Sequence, residues 1–161
     1  MRVFKYDSPI GDIHSFFEGE FLVEVAIGAT PYEIIPPCPP LEKGGKGGFK
    51  KELDAYFKGE AKHFKQKIKF VKGTPFEQKV WLALNEAPYG ETRAYKWVAE
   101  RIGSPKALRA VGQALKKNPL PIILPCHRVI ASDGSIGGFS CGVEIKRWLL
   151  RHESELHDFD H

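Results

Sequence analysis

A stretch rich in proline and glycine, residues 30–48, is the feature that most constrains how this chain folds. It holds five prolines and four glycines. Proline lacks a backbone N–H donor and glycine weakens regular structure, so the stretch predicts an extended loop or linker. β-branched and aromatic runs precede it, whereas apolar residues recur at helical spacing beyond about Gly73. The sequence therefore predicts an α+β protein in two parts, residues 1–72 and 73–161.

The first part predicts a small antiparallel sheet. Strands are predicted at Val3–Tyr6, Asp12–Phe17 and Phe21–Ala26, because these runs are rich in β-branched and aromatic residues and are separated by turn residues. Strands joined by such short turns pair most simply as a meander. A short amphipathic helix is predicted after the loop, since apolar residues recur at helical spacing between Phe49 and Phe57.

The second part predicts three short helices ahead of its most reactive segment. Thr74 and Pro75 form the N-cap and first turn of one helix, and Thr92 and Ser104 are predicted to begin the next two. Leu108 is predicted on the buried stripe of the third helix. Two short helices that meet at a glycine have helix-turn-helix geometry, which DNA-binding proteins share with many others.

Positive charge is concentrated in two blocks. The net charge is +4, but residues 43–72 hold ten basic and three acidic residues, and residues 93–128 hold eight basic residues and one acidic residue. Such blocks are typical of a surface that binds a polyanion. For the first block, a solvated lysine-rich surface is the alternative explanation. The third predicted helix lies within the second block.

The third helix favours nucleic acid as the partner of the second block. Its polar side carries Arg109 beside the small residues Ala110 and Gly112, with Lys106 near its start. Small residues let a backbone approach a groove wall closely, while lysines and a helix N-terminus favour phosphate. DNA binding is therefore predicted for this helix.

The composition excludes two other settings. No apolar run approaches the roughly 20 residues that span a bilayer, and the N-terminus lacks the apolar core of a secretory signal. The three cysteines are too few and too scattered for a disulfide scaffold. A cytoplasmic protein with no membrane partner is expected.

The segment Pro125–Ile130 carries the densest chemistry. It follows an apolar run that Pro121 precedes, and it places Cys126 beside His127. A lone cysteine is most often a core residue, but the two prolines fix the backbone where packing alone would not require it. A nucleophilic cysteine must lose its proton, and an imidazole oriented by a carboxylate would assist. Neighbours in a strand point to opposite faces, so Cys126 and His127 interact only across a turn or through a water.

The carboxylate is predicted at the end of a C-terminal helix, Val143–His152. Glu153 closes this helix and is the candidate, because the helix packs an apolar face inward and its end can return to the cysteine. Spacing alone leaves Glu155 as a close alternative.

The chain resembles the O6-alkylguanine-DNA alkyltransferases, a family of direct-reversal DNA repair proteins. The run Pro125–Val129 is similar to the active-site signature of this family. Other similar blocks follow in the expected order, namely Gly73–Phe76, Pro88–Thr92, Arg109–Gly112, Asn118–Pro119 and Gly137–Ser140. The resemblance covers residues 73–153 well and residues 1–72 only loosely. It implies that the N-terminal sheet domain is RNase H-like.

The resemblance also implies a reaction. The second helix of the helix-turn-helix would enter the minor groove of double-stranded DNA, and the damaged guanine would be flipped into a pocket. The Cys126 thiolate would then attack the alkyl carbon on O6 and keep it as a thioether. Each molecule would react once, as a monomer, with no cofactor and no metal.

Individual residues receive roles from the same resemblance. In catalysis, His127 takes the thiol proton through a water, Glu153 orients the imidazole, Tyr95 donates a proton to the departing guanine, and Asn118 joins the recognition helix to the active-site loop. DNA contacts are implied for Arg109, which replaces the extruded base, and for Ala110, Gly112, Thr92, Lys106 and Arg128. Pocket positions are implied for Val129, Ser140, Pro121 and Leu115.

Two other functions stay open on the sequence. A lesion-binding protein without transfer activity would replace the cysteine, which is present here as Cys126, and a Cys-His hydrolase would turn over repeatedly. Cys141 stands where family members commonly carry another residue type, and it is inert, modified or paired with Cys126 under oxidation. Cys38 has only distant histidines for company, so no metal site is predicted there.

Overall fold

The computed structural model describes residues 2–28, 47–139 and 141–158. The chain divides into two compact units, residues 1–71 and residues 72–161. Cys38, Ser140 and most of the predicted loop lie outside the described residues. No helix in the described ranges is long and apolar enough to cross a membrane.

The first unit contains the predicted antiparallel meander. Its strands are β1 (Arg2–Ser8), β2 (Gly11–Glu18) and β3 (Phe21–Ile27), in the spatial order β1-β2-β3. The prediction of three strands is confirmed, each with slightly longer bounds. The segment at Ile68 extends the sheet, because it forms a parallel bridge to Leu22 beyond the last strand.

Helix α1 (Gly47–Phe57) packs against this sheet through aromatic contacts. Phe49 meets Phe17 edge to face at a centroid distance of 5.6 Å, and the Tyr6 hydroxyl donates to Asp54 at 2.6 Å. The helix begins inside the stretch predicted as loop, so its first two glycines are helical rather than extended. The burial of Phe49 in the first turn explains this start, since packing outweighs the poor helix propensity of glycine.

The second unit is mostly helical. Its helices are α2 (Pro75–Ala83), α3 (Tyr95–Arg101), α4 (Leu108–Lys116) and α5 (Val143–Asp158), and a 3-10 turn, Leu84–Glu86, continues α2. Two short strands, β4 (Arg93–Ala94) and β5 (Val129–Ile130), pair in parallel. Helices α3 and α4 contact each other across the intervening turn, in the place where the sequence predicts a helix-turn-helix.

The start of α2 is the one that the sequence predicts. Thr74 Oγ1 accepts from the backbone N–H of Glu77 at 3.1 Å, and the Thr74 N–H donates to the Glu77 carboxylate at 2.9 Å. This capping box satisfies two donors at the helix end. Gly73 is required just before it, because its φ is +102° and a Cβ there would lie 2.5 Å from the Trp81 ring.

The start of α5 at Val143 is also as predicted, but the predicted starts of α3 and α4 lie two and three residues too early. Thr92 does not cap α3, because Ala94 is the N-cap and β4 pairs with β5 immediately before it. Ser104 does not begin α4, because its carbonyl accepts from the N–H of Ala107 at 2.9 Å in a separate turn. At the C-terminus, α5 continues past His152, so Glu153 lies within the helix and not at its end.

A buried tryptophan fixes α4 against α2. Trp81 is 1% exposed, and its indole N–H donates to the carbonyl of Ala114 at 2.7 Å. Val111 and Ala114 are buried on the same side of α4. The opposite side of the helix therefore faces out, and it carries the residues from which DNA binding is predicted.

Candidate active site

Cys126 lies at the wall of a cavity in the second unit. It begins a 3-10 turn, Cys126–Arg128, which leads into β5. The side chain is 4% exposed, yet it contributes to a cavity of about 340 Å³ whose other walls come from α3, α4, α5 and the segment around Gly138. The sulfur is thus buried in the protein and reachable from the cavity.

The loop before the cysteine is rigid. The Asn118 amide donates to the carbonyl of Leu124 at 2.9 Å, and its oxygen accepts from the N–H of Leu120 at 2.9 Å. Ile122 has a φ of +76°, which is strained for a β-branched residue. Asn118 also forms a hydrogen bond with the side chain of Cys126. The predicted link between the end of α4 and the cysteine is therefore made by Asn118.

His127 and Glu153 form a buried pair behind the cysteine. The His127 Nε2–H donates to Glu153 Oε2 at 2.7 Å, and the two side chains are 0% and 1% exposed. The structure brings Glu153 to the imidazole as the sequence predicts. The other ring nitrogen, Nδ1, is buried and has no hydrogen-bond partner among the described residues. With Nε2 as the donor, Nδ1 is left as a proton acceptor.

Arg128 does not face DNA, so this prediction is wrong. Its side chain is buried, its guanidinium donates to both oxygens of Glu153 at 2.8 and 3.2 Å, and a further N–H donates to the carbonyl of Ala87 at 2.8 Å. A buried carboxylate requires a paired charge, and Arg128 supplies it. Burial alone would raise the pKa of Glu153, but His127 and Arg128 together hold that pKa well below its usual range.

The resting thiol of Cys126 is neutral. Burial raises its pKa to about 12, while the hydrogen bond from Asn118 and the charge of Lys146 act in the opposite direction. Cys141 lies near enough to raise the pKa of Cys126 slightly further. The thiolate that a nucleophilic cysteine needs must consequently be produced during the reaction.

Lys146 is a site residue that the sequence analysis missed. Its side chain is 1% exposed, and its ammonium donates to the carbonyls of Val129 at 2.8 Å and Gly138 at 3.2 Å. It also lines the cavity that Cys126 lines. The signal was present in the sequence, because Lys146 precedes Glu153 by seven residues, which is two helical turns, and so shares its face of α5.

Some of the other residues predicted at the pocket line the cavity, and one is buried elsewhere. Tyr95, Val129 and Leu115 line the cavity, and the Tyr95 hydroxyl lies 3.1 Å from where a Cβ would stand on Gly137. Pro121 is buried and is not among the residues that line the cavity.

One side of α4 forms another wall of the cavity. Arg109, Gly112, Gln113 and Lys116 line it, at the i, i+3, i+4 and i+7 spacing of one helical face. Ala110, Lys106 and Thr92 are exposed and lie outside the cavity wall. Leu108 is 46% exposed, so its predicted place on the buried stripe is wrong. A separate turn between Ser104 and Ala107 comes before α4, so the helix starts later than predicted. Val111 is its first buried residue.

No described neighbour of Gly112 explains why this position lacks a side chain. A Cβ at this position would meet no described atom within 4 Å. Glycine inside a helix costs about 1 kcal/mol relative to alanine. Since internal packing does not require the glycine, its absent side chain leaves room for something that approaches the outer side of α4.

No group of three or more His, Cys, Asp or Glu side chains is arranged to hold a metal ion within residues 2–28, 47–139 and 141–158. The residues that line the cavity instead supply a thiol, a phenol and an ammonium group. A buried imidazole–carboxylate pair begins at the residue that follows the thiol in the chain. This set suits proton transfer around a sulfur nucleophile.

The fold and the site define a helix-turn-helix protein with a buried cysteine placed beside its second helix. Residues 75–155 match the family described as 6-O-methylguanine DNA methyltransferase, DNA binding domain. The chain is also 42% identical over 147 residues to the methylated-DNA–protein-cysteine methyltransferase of Mycobacterium bovis, covering 91% of this chain and 88% of that protein. The chain therefore belongs to the 6-O-methylguanine DNA methyltransferase family.

Other similarities agree with this assignment. The methylated-DNA–protein-cysteine methyltransferase of Methanosarcina acetivorans is 52% identical over 103 residues, which span 64% of this chain and 65% of that relative. The crystal structure of Mycobacterium tuberculosis OGT in complex with DNA has a TM-score of 0.87 at 38% identity, over 97% of this chain and 94% of that chain. The O6-methylguanine-DNA methyltransferase of Pyrococcus kodakaraensis has a TM-score of 0.74 at 26% identity, over 94% and 98% of the two chains.

Proposed function

We propose that this chain repairs DNA by moving the alkyl group of an O6-alkylguanine onto Cys126 in one irreversible event. The observation that carries this proposal is the arrangement around the sulfur. Cys126 faces a cavity, while His127 beside it is oriented through Nε2 and retains Nδ1 as an acceptor. A cysteine, a base and an orienting carboxylate are the parts that an activated thiol needs.

DNA would approach along the outer side of α4. Arg109 and Lys116 bring positive charge to the cavity mouth, and Lys106 lies exposed just before the helix. The bare backbone at Gly112 admits a groove wall or a sugar–phosphate strand. These features favour the minor groove, where close approach and an inserted side chain are needed to extrude a base. Arg109 would occupy the space that the extruded guanine leaves.

The proton of the thiol would leave toward His127. A water between Cys126 Sγ and His127 Nδ1 would carry it, and Glu153 would stabilise the imidazolium that forms. Because the resting thiol has a pKa of about 12, this transfer accompanies the attack rather than preceding it.

The leaving group would be guanine. As the S–C bond forms, the C–O6 bond breaks and its electron pair goes to the base, which then takes a proton from the Tyr95 hydroxyl. Tyr95 is left as a phenolate and His127 as an imidazolium, and exchange with solvent returns both to neutral, so the net change moves one proton from the thiol to guanine. The ammonium of Lys146 beside the cavity would stabilise the negative charge that passes from sulfur to the base. The thioether product contains no acyl or phosphoryl group for water to release, so each molecule acts once.

The test is to incubate the protein with duplex DNA that carries one O6-methylguanine and to weigh the peptide containing Cys126. We expect one methyl group on Cys126 and a reaction that ends at one equivalent per protein. Cys126→Ala should bind the duplex and transfer nothing. An unmodified peptide would indicate a lesion-binding protein instead, and continued turnover would indicate a hydrolase.

Arg109 provides a test of the DNA-binding side. Arg109→Ala should slow repair of duplex DNA by about tenfold or more, because base extrusion costs a few kcal/mol and the arginine offsets part of that cost. Reaction with free O6-benzylguanine should change little, since no base is extruded. Equal losses on both substrates would contradict the assigned role.

A further inference from the structure

Leu108 is an apolar side chain in an otherwise polar and basic surface. It is 46% exposed and forms the first residue of α4. Lys106 and Arg109, which flank it closely in sequence, are both exposed. Exposed leucines are common when scattered singly, so its exposure alone indicates nothing. The position of Leu108 on the helix is what gives it meaning.

Leu108 precedes Gly112 by one helical turn and so shares its side of α4. Gly112 lines the cavity and leaves the helix backbone bare there. The inward side of the helix is held by Val111, Ala114 and Leu115, and the fold does not use Leu108 in that cluster. Leu108 is not itself among the residues that line the cavity, but it directly precedes Arg109 and lies one turn before Gly112, and both of these line it. Its exposed part therefore lies next to the side of α4 along which DNA would approach.

We propose that Leu108 is an apolar wedge that contacts the base stack next to the extruded guanine, alongside Arg109. This inference rests on the proposed function, because it requires a duplex on this side of α4. An apolar side chain among cationic ones gains nothing from phosphates, but it gains free energy when base faces remove it from water. Minor-groove proteins that kink the duplex insert apolar side chains of this kind between base steps.

The wedge has a role distinct from that of the arginine. Arg109 fills the gap that the flipped base leaves, whereas Leu108 would hold the neighbouring base pair away from that gap and slow its collapse. Leu108 is thus a positioning residue for the substrate and does not touch the reacting carbon. The chemical step on a free base should not depend on it.

The experiment compares Leu108→Ala with Leu82→Ala. Leu82 is a matched control, because it is 50% exposed and lines a different cavity, together with Arg101 and Ile102. Single-turnover rates are measured with duplex O6-methylguanine DNA and with free O6-benzylguanine. For Leu108→Ala we expect about a tenfold loss on the duplex, the size that burial of part of a leucine side chain gives, and no change on the free base. Leu82→Ala should match the wild type on both substrates.

Two further measurements complete the test. Leu108→Met keeps an apolar side chain of similar volume and should retain most of the duplex rate. A 2-aminopurine placed beside the lesion should brighten less with Leu108→Ala, because its neighbour is less unstacked. A Leu108→Ala protein that repairs the duplex at the wild-type rate, or that loses activity equally on both substrates, overturns the wedge. If the wild type methylates nothing, the proposed function itself fails, so the two failures are distinguishable.

Discussion

At the scale of single residues, the buried ammonium of Lys146 favours the thiolate of Cys126 and can be removed without touching the proton path. Its charge lowers the pKa of Cys126 against the larger effect of burial, which brings that pKa to about 12. The thiolate fraction therefore rises about tenfold per pH unit between about pH 7 and pH 11. A small electrophile such as iodoacetamide reports this fraction directly.

Lys146→Met should slow modification of Cys126 by iodoacetamide about tenfold near neutral pH, because an opposite charge near an acid favours its ionised form. The difference should shrink toward pH 11, because burial lowers the pKa of Lys146 and the ammonium loses its charge there. The measurement is the rate of carbamidomethylation of the Cys126 peptide, followed by mass against pH. Lys146→Arg should keep most of the rate, since the charge remains.

The matched control is Arg147→Met, which removes the neighbouring cation. Arg147 has a side chain that is 55% exposed and pairs with Glu144 at 3.4 Å on the surface of α5. This variant should leave the pH–rate profile of Cys126 unchanged. If both variants gave the same profile as the wild type, Lys146 would have only a structural role.

At the scale of whole elements, Gly112 lowers the stability of α4 while it leaves room for the proposed contact with DNA. Gly112→Ala should stabilise the fold by up to about 1 kcal/mol, because alanine is the better helix former and its Cβ meets no described atom. The same methyl group should weaken binding to duplex DNA, because it occupies the space that the groove needs. Denaturant unfolding and a binding isotherm at fixed salt measure the two effects.

Gly48→Ala is the control for this prediction. Gly48 lies in α1, and a Cβ there also meets no described atom within 4 Å. The substitution should not change DNA affinity. If Gly112→Ala bound the duplex as tightly as the wild type, the bare helix surface would have no part in binding.

The sequence predicts the elements better than it predicts their ends. Thr74 is read correctly, because its capping box needs only residues within one turn. The start of α3 is missed since it depends on the pairing of β4 with β5, whose residues lie far apart in sequence. Local patterns carry no information about such a contact.

Among the site residues, too, those that are neighbours in sequence are easier to predict than those whose role depends on distant contacts. Cys126 and His127 are adjacent and easily found, and the structure brings Glu153 to the imidazole as expected. The resemblance to the family implies a DNA contact for Arg128, but the structure pairs its side chain with Glu153 instead. Its partner Glu153 lies 25 residues away in sequence, so only the fold reveals that the charge is used internally.

At the scale of the whole molecule, one ion-pair network joins the stability of the fold to the chemistry proposed above. Glu153 on α5 binds His127 and Arg128, which belong to the turn that carries Cys126. The bonds that orient the base are therefore the same bonds that attach α5 to the active-site turn. Loss of Glu153 should therefore slow the reaction and destabilise the fold together. The pH dependence of the unfolding free energy should isolate the part that the carboxylate charge contributes to stability.

Glu153→Gln should lower the free energy of unfolding by roughly 3 kcal/mol near neutral pH, because it leaves the buried guanidinium without its counter-charge. The pKa of Glu153 is lowered well below its ordinary value of 4.5 in the folded state. A depressed acid pKa stabilises the fold above about pH 4.5, and that contribution is lost as the pH falls further. The difference between wild type and variant should consequently shrink from pH 7 toward pH 3, as measured by urea unfolding. Glu144→Gln, on the same helix with a side chain that is 89% exposed, should show little difference at any pH. A Glu153→Gln gap as large at pH 3 as at pH 7 would mean that the carboxylate charge does not hold this network together.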